Sequence, residues 1–401
     1  MISSLRGMND IVCEERFQYF LEVAQKTAAR YGYCYIETPI LEETNLFKRS
    51  VGESSDIVGK EMYQFTDKGG NDVCMRPEGT AGVVRSFIQK KLDRAGGIHR
   101  YFYYGSMFRY ERPQKGRLRA FHQFGVESFG VESFYEDATV IMMVSDILNE
   151  LKIGYKLKLN SLGCNNCMPQ YKEKLVAFIQ SVREDICEDC KRRETTNPIR
   201  VLDCKNNTCQ EHYLKAPKLI NNLCESCSED FTNLQNLLEK NNIPFEIDTH
   251  LVRGLDYYSK TAFEFVSDGI GAQNAIAGGG RYDRLVEFLG AKPTPAVGFA
   301  MGIERLLELI VMPEKTRTGY YIGAMDSKSV ELVISLTQQK RKTDKAVAEY
   351  KAKSLKNHLK GADKIDARYC CVIGENERNT NTIWVKDLSN KTENVIALEE
   401  F

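Results

Sequence analysis

Two long segments with the pattern of strands, at residues 100–110 and 119–129, are separated by a segment that cannot continue either of them. That segment, 111–118, contains Pro113 and Gly116, which end strands and favour loops. The pattern therefore predicts two long antiparallel strands joined by a charged loop. Because alternate side chains of a strand share one face, Arg109, Gln123 and Glu127 are expected to face a common cleft.

The predicted loop is strongly basic for a chain that has no net charge. The whole chain carries 55 basic and 55 acidic residues, so any surface that binds nucleic acid or phosphate must be local. A planar guanidinium suits phosphate oxygens, and a solvated basic hairpin is the alternative interpretation. The sequence contains neither a GxxxxGK[ST] loop nor a GxGxxG after a strand. The cations in the loop and at the adjoining strand ends are Arg109, Arg112, Lys115, Arg117 and Arg119.

The rest of the chain divides by composition. Residues 164–242 are polar and rich in cysteine, which indicates an insertion with short helices. Residues 312–317 have the composition of a linker, and the segment beyond it alternates predicted strands and helices, as a small α/β domain does. We therefore expect one domain at 1–317 and another at 318–401. No signal peptide or membrane span is visible, and 13 cysteines without a secretion signal suggest reduced thiols in a cytoplasmic protein.

Three segments resemble the motifs of class II aminoacyl-tRNA synthetases, in the order and spacing of that family. Thr38-Pro39 looks like motif 1, residues 108–112 with 121–124 look like motif 2, and residues 298–306 look like motif 3. The resemblance implies an α+β fold, with an antiparallel catalytic sheet, flanking helices, a mainly helical insertion and a C-terminal α/β anticodon-binding domain. It also implies a homodimer that uses ATP with Mg²⁺.

Two further segments resemble the signatures of histidyl-tRNA synthetases. They are residues 251–258, which include Arg253, and residues 277–283, a glycine run followed by Arg-Tyr-Asp. Taken singly, each would also fit a turn or a glycine bend in a strand. Together with the class II motifs they imply that L-histidine is activated with ATP and then transferred to tRNA(His).

The resemblance assigns roles to residues of this chain. As catalytic residues it implies Arg109, Arg253 and Arg305. The ATP site would contain Arg109, Arg112, Phe121 and Arg305. The histidine site would contain Glu78, Gly79, Thr80, Gln123, Glu127, Arg253, Tyr257, Tyr258 and Tyr282. A neutral imidazole has one donor and one acceptor nitrogen, so the Glu127 carboxylate and the Tyr258 phenol could pair with both.

The insertion contains three CxxC pairs, beginning at Cys164, Cys187 and Cys224, together with Cys204 and Cys209. Pairs at such separations are typical of structural zinc sites. The candidate ligand set is Cys187, Cys190, Cys224 and Cys227. The alternative interpretation is a group of small buried thiols that pack as apolar side chains.

Three competing functions are consistent with parts of the pattern. A regulatory paralogue, the ATP phosphoribosyltransferase regulatory subunit, typically lacks the C-terminal domain and has degraded histidine signatures. An RNA-binding or zinc-ribbon scaffold would not need Glu78, Glu127 and Tyr258 together. A class II synthetase for another amino acid would not need the Glu127–Tyr258 pair.

Overall fold

The hairpin expected at residues 100–129 forms two neighbouring strands of a large sheet. The computed structural model describes residues 2–52, 55, 57–204, 206–251, 257–270 and 274–401. The chain forms two compact units, Met1–Val311 and Met312–Phe401. Within the described residues, no helix has both the length and the apolar character needed to cross a membrane.

In the part of the chain that the structure describes, the first unit contains eleven strands. They are β1 (Cys34–Tyr35), β2 (Leu41–Glu43), β3 (Gln64–Thr66), β4 (Asp72–Met75), β5 (His99–Phe108), β6 (Ala120–Phe129), β7 (Lys156–Ser161), β8 (Phe245–Ile247), β9 (Ser259–Val266), β10 (Ala275–Arg281) and β11 (Ala296–Gly302). Eight of them form one sheet in the order β1-β5-β6-β11-β10-β9-β7-β8. The six inner strands pair antiparallel, and only the edge strands β1 and β8 pair parallel to their neighbours. The predicted antiparallel catalytic core is thus confirmed.

Helices cover this sheet and a small antiparallel sheet, β2-β4-β3, stands beside it. The α-helices of the first unit are α1 (Glu15–Arg30), α2 (Thr44–Val51), α3 (Thr80–Gln89), α4 (Leu92–Ala95), α5 (Phe134–Glu150), α6 (Met168–Ser181), α7 (Glu188–Thr196), α8 (Asn207–Tyr213), α9 (Glu225–Lys240), α10 (Leu285–Phe288) and α11 (Ile303–Leu307). Aromatic side chains join α1 to the sheet, with Phe20 edge-on to Phe124 at 6.0 Å between ring centroids.

The insertion between β7 and β8 contains α6 to α9, so its mainly helical character is confirmed. It has a core of its own that includes Tyr171, Leu175, Ile179 and Tyr213. A 3₁₀ segment, Pro198–Asp203, connects α7 to α8.

The second unit is the α/β domain expected at the C-terminus. Its strands are β12 (Tyr320–Ala324), β13 (Ala346–Glu349), β14 (Tyr369–Ile373), β15 (Thr382–Asp387) and β16 (Thr392–Ala397), and its helices are α12 (Val330–Lys340), α13 (Leu355–Lys364) and α14 (Glu375–Thr380). The sheet order is β13-β12-β14-β15-β16, with β13, β12 and β14 parallel and the last three strands antiparallel.

Candidate active site

A cavity of about 260 Å³ lies against the centre of the large sheet. Small residues of β10 and β11, among them Gly278 and Gly302, form part of its wall and leave room for a ligand. Backbone pairing sets the positions of its polar side chains, because Gln123 of β6 lies opposite Gly302 of β11. The cavity brings together Glu78, Thr80, Arg109, Phe121, Gln123, Tyr257, Tyr258 and Arg305.

One side of the site is built around two buried carboxyl groups. Glu78 precedes α3 and accepts hydrogen bonds from the backbone N–H groups of Thr80, at 2.7 Å, and of Ala81, at 2.9 Å. Glu127 of β6 accepts from the Thr80 hydroxyl at 2.6 Å and also from the Tyr282 hydroxyl. Burial raises the pKa of both carboxyl groups, and that of Glu127 rises to about 8. Burial therefore favours the protonated form of the Glu127 carboxyl relative to an exposed one.

Glycines make room for this carboxyl group and for the tyrosine beside it. A Cβ atom on Gly298, which pairs with Glu127 across the sheet, would lie 2.0 Å from Glu127 Oε2. A Cβ atom on Gly79 would lie 2.2 Å from the ring of Tyr103. The Tyr103 hydroxyl in turn donates to Glu127 Oε1 at 3.3 Å. Close packing therefore requires glycine at both positions.

Arginines occupy the opposite side. Arg109 donates from Nε to the carbonyl oxygen of Pro77 at 2.9 Å, and its guanidinium lies 5.3 Å from the centroid of the Phe121 ring. Arg305 donates to the carbonyl oxygens of Gly116, at 2.9 Å, and of Ala275, at 2.7 Å. Burial lowers the pKa of Arg305, but an arginine remains charged at physiological pH. Two fixed cations therefore face a cavity that could take the phosphates of a nucleotide.

Apart from Glu111 Oε2, which is ion-paired with Arg117, two buried polar atoms of the cavity have no hydrogen-bond partner among the described residues: Gln123 Oε1 and the Tyr257 hydroxyl. A buried polar group without a partner costs about 1–3 kcal/mol, so such groups are rare unless a ligand or water satisfies them. A bound molecule with a hydrogen-bond donor near Gln123 would remove this cost.

The glycine-run signature ends in a buried ion pair. Arg281 is 1% exposed, and its guanidinium binds Asp137, Asp283 and the carbonyl oxygens of Val131 and Ser133. All of its donors therefore serve the protein itself. This anchored backbone holds the neighbouring Tyr282 against Glu127. The role of Arg281 is therefore structural: it positions Tyr282.

Not every expected residue lines the cavity. Glu127 and Tyr282 lie behind Thr80, and Gly79 is covered by Tyr103. Arg112 is exposed and is not part of the wall. Arg253 lies outside the described residues.

The structure adds lining residues that the sequence interpretation missed: Glu111, Arg117, Glu264 and Glu304. Arg117, whose side chain is partly exposed, forms an ion pair with the buried Glu111 in the wall of the cavity. Glu304 accepts from the backbone N–H of His122 at 2.9 Å and lies beside His122 Nδ1 at 2.8 Å. The available signal was position, because Arg117 lies in the motif 2 loop and Glu304 lies beside Arg305.

The cysteines of the insertion form two groups, and the predicted set of Cys187, Cys190, Cys224 and Cys227 is wrong. The pair at 224–227, at the start of α9, meets the pair at 164–167, which follows β7. The pair at 187–190, at the start of α7, meets Cys204 and Cys209 instead. We call Cys164, Cys167, Cys224 and Cys227 the base quartet, and Cys187, Cys190, Cys204 and Cys209 the distal quartet.

Known proteins similar to this chain identify its family. Residues 14–306 match the family model described as histidyl-tRNA synthetase, and residues 310–401 match that of an anticodon binding domain. The histidine–tRNA ligase of Sulfurimonas denitrificans is 70% identical to this chain, with 100% of both chains covered. The crystal structure of apo histidyl-tRNA synthetase of S. aureus has a TM-score of 0.83 and 33% identity, and covers 100% of this chain and 98% of that one.

A structure from Bacillus halodurans C, described as an ATP phosphoribosyltransferase regulatory subunit/histidyl-tRNA synthetase, has a TM-score of 0.66 at 20% identity. It covers 93% of this chain and 98% of that one, and at this identity the likeness shows only a shared fold. The family model and the full-length relative go further and confirm the predicted family. The chain belongs to the histidyl-tRNA synthetase family of class II aminoacyl-tRNA synthetases.

Proposed function

We propose that this chain is a histidine–tRNA ligase, which activates L-histidine with ATP to histidyl-adenylate and pyrophosphate and then transfers histidine to tRNA(His). The observation that carries the proposal is one cavity with buried acidic and amide groups on one side and two anchored arginines on the other. Such a cavity can hold an ammonium-bearing amino acid beside a polyphosphate.

The histidine subsite is proposed to lie between Glu78 and Tyr258. Glu78, Thr80 and the unpartnered Gln123 Oε1 supply acceptors for the α-ammonium group. Tyr257 and Tyr258 line the same wall, and Glu127 and Tyr282 stand behind Thr80. A site whose polar groups match both ring nitrogens should reject apolar analogues, because those would leave buried groups unpaired.

The ATP subsite is proposed to lie at the arginines. Arg109 would bind the α-phosphate and Arg305 the γ-phosphate, with the adenine near Phe121. The exposed Arg112 would contribute only at longer range. Mg²⁺ would neutralise charge on the pyrophosphate, and the carboxylates of Glu264 and Glu304 in the same cavity offer the oxygen ligands it prefers.

The chemistry requires cations because it joins two anions. The histidine carboxylate attacks the α-phosphorus, one P–O bond forms, and the bond to pyrophosphate breaks. Fixed guanidinium groups offset both the repulsion on approach and the charge that develops in the transition state. The family resemblance implies that Arg253, which lies outside the described residues, would bind the carboxylate and the α-phosphate. We expect Arg253→His to slow adenylate formation far more than it weakens histidine binding; an equal loss in both would contradict this role.

The second unit is proposed to bind the anticodon part of tRNA(His). The lysines at 351, 356, 360 and 364 are exposed, as residues that neutralise phosphates must be. We also propose that the chain acts in the cytoplasm as a homodimer, which sedimentation at several protein concentrations would test.

Pyrophosphate exchange with each amino acid in turn tests the proposal. Histidine alone should support ATP–pyrophosphate exchange. A chain with only the regulatory role would bind histidine without exchange, and exchange with another amino acid would identify a different synthetase. No histidine-dependent exchange by the folded protein would contradict the proposed function.

A further inference from the structure

We propose that the insertion holds two structural zinc ions, one in the base quartet and one in the distal quartet. Each quartet offers four thiol sulfurs that all lie within 4.8 Å of one another. Four thiolates around one ion with tetrahedral geometry are the usual ligand set of a structural zinc site.

The distances between sulfurs agree with a single tetrahedral ion. With Zn–S bonds of about 2.3 Å, tetrahedral geometry puts neighbouring sulfurs about 3.8 Å apart. In the base quartet, Cys164 Sγ lies 3.8 Å from Cys167 Sγ and 3.7 Å from Cys224 Sγ. In the distal quartet, Cys187 Sγ lies 3.8 Å from Cys204 Sγ. An iron–sulfur cubane would hold the sulfurs farther apart, because each thiolate binds a different iron atom.

Backbone N–H groups point at the sulfurs in both quartets. In the base quartet the N–H of Cys224 donates to Cys167 Sγ at 3.1 Å, and that of Asn166 donates to Cys164 Sγ at 3.4 Å. Such donors stabilise negative charge on sulfur, and metal-bound thiolates carry that charge.

The distal quartet repeats this arrangement. The N–H of Cys187 donates to Cys209 Sγ at 3.2 Å, and that of Asn206 donates to Cys204 Sγ at 3.5 Å. Four close thiolates repel one another unless a cation lies between them. The two groups therefore have the ligand atoms and the surrounding backbone donors of a metal site.

Beside its own cysteines, the region around the distal quartet buries few apolar side chains, chiefly Ile186, Val201 and Tyr213. The buried residues of α7 are Cys190 and Glu194, and those of α8 are Cys209 and Tyr213. Much of the local core thus consists of the proposed ligands. Segments with so few apolar residues usually need a metal or disulfides to fold, and these cysteines are free thiols.

The base quartet has a second role, since it lies next to the wall of the histidine subsite. Cys164, Cys224 and Tyr258 pack against the same cluster of buried side chains. Asn165, inside the first CxxC pair, accepts a hydrogen bond from Arg284 at 3.1 Å, and both residues line a second cavity together with Tyr258. Zinc in the base quartet would therefore fix the position of Tyr258 through its neighbours.

Metal analysis of untagged protein, purified without chelators, tests the proposal. We expect two zinc ions per chain by mass spectrometry of the dissolved metals. Cys224→Ser and Cys204→Ser should each retain one, in the distal and the base quartet respectively. The control Cys34→Ser, which changes an exposed cysteine outside both quartets, should retain two.

A measurement on the unaltered chain keeps the test independent of how the variants fold. The quartet thiols should resist alkylation until a strong chelator is added, and Co²⁺ in place of zinc should give the absorption of tetrahedral thiolate coordination. Reactive thiols with less than half a zinc per chain would overturn the proposal. So would a single zinc, iron in place of zinc, or disulfides within the quartets.

Discussion

The catalytic sheet and the cysteine-rich insertion position their important side chains in different ways. In the sheet, backbone pairing sets the positions of the side chains. Glu127 lies opposite Gly298, and Gln123 lies opposite Gly302, because of the register between β6 and β11. In the insertion, side chains from separate short segments converge on shared points, as in the two quartets. The difference teaches that a site on paired strands depends on the backbone, whereas a quartet depends on its ligands and on the ion we propose.

The arginines beside the sheet are proposed to be fixed in place before ATP binds. Loss of one of them should therefore lower the rate of pyrophosphate exchange more than any other change. We expect Arg305→Ala to lower histidine-dependent pyrophosphate exchange by about 10²–10³-fold, as the loss of a fixed electrostatic group at a transition state does. Arg305→Lys should recover only part of this, because lysine lacks the planar fork. The exchange rate at saturating histidine is the measurement.

Arg192→Ala is the matched control in the insertion, since Arg192 is 61% exposed and pairs with Asp189 on the same helix. Exchange does not require tRNA, so this variant should stay within about twofold of the unaltered chain. Equal losses in both variants would remove the distinction between the two regions.

Close packing in the sheet gives the next effect. Gly298→Ala places a methyl group where only 2.0 Å separates the Cβ position from Glu127 Oε2. We expect a loss of stability of about 1–3 kcal/mol, as is usual when atoms are added to a full core, and a rise of tenfold or more in the KM for histidine. Gly154→Ala is the control, because nothing lies within 4 Å of its Cβ position. Normal histidine binding by Gly298→Ala would show that Glu127 and the strands beside it can shift to admit the methyl group.

Burial of Glu127 makes a prediction about pH. Its pKa rises from 4.5 to about 8 on folding, so the folded state holds the proton more tightly than the unfolded state. The contribution of this group to stability is complete below about pH 4.5 and is lost as the pH rises through about 8, at no more than about 1.4 kcal/mol per pH unit. Glu78 shifts in the same direction for the same reason.

We therefore expect the free energy of unfolding, measured with denaturant and without histidine, to fall from pH 6 to pH 8, and to fall less in Glu127→Gln. Glu239→Gln, at an exposed position on α9, should keep the slope of the unaltered chain. An unchanged slope in Glu127→Gln would mean that Glu127 is already ionised at pH 6.

Much of the sheet could be predicted from the sequence because strand signals are local. Residues 100–110 and 119–129 differ from β5 and β6 by at most two residues at any end, and the alternation of side chains placed Gln123 on the cavity face. The same rule could not show that Glu127 lies behind Thr80, since this depends on the contact with Tyr282, which follows β10. Nor could it show which loop arginine turns inward.

The cysteine quartets show where sequence spacing fails. Each CxxC pair is local and visible, but which pairs meet depends on how the helices between them fold back. The predicted set joined the pairs of α7 and α9, whereas α9 returns to the end of β7 and brings Cys224 to Cys164. The spacing of the cysteines indicated zinc sites but did not show which CxxC pairs come together.

Variants that lose one quartet should affect catalysis less than the sheet variants do, and the two quartets should differ from each other. We expect Cys224→Ser to raise the KM for histidine by about tenfold with little change in kcat, because the base quartet packs beside Tyr258. Cys204→Ser should leave both constants within about twofold, although it frees the distal segment to proteolysis. Exchange kinetics and limited proteolysis distinguish them, and equal KM changes would contradict the positioning role of the base quartet.

The smallest expected effect concerns two arginines of the same loop. Arg117 lines the cavity and is paired with Glu111, whereas Arg112 is exposed. We expect Arg117→Ala to raise the KM for ATP about fivefold and Arg112→Ala less than threefold, because water screens an exposed charge. The Arg112→Ala effect should also vanish first as salt is raised, since screening acts most on exposed charges. A larger effect for Arg112→Ala that persists at high salt would contradict this expectation. It would mean that the loop rearranges when ATP binds and brings Arg112, rather than Arg117, close to the phosphates.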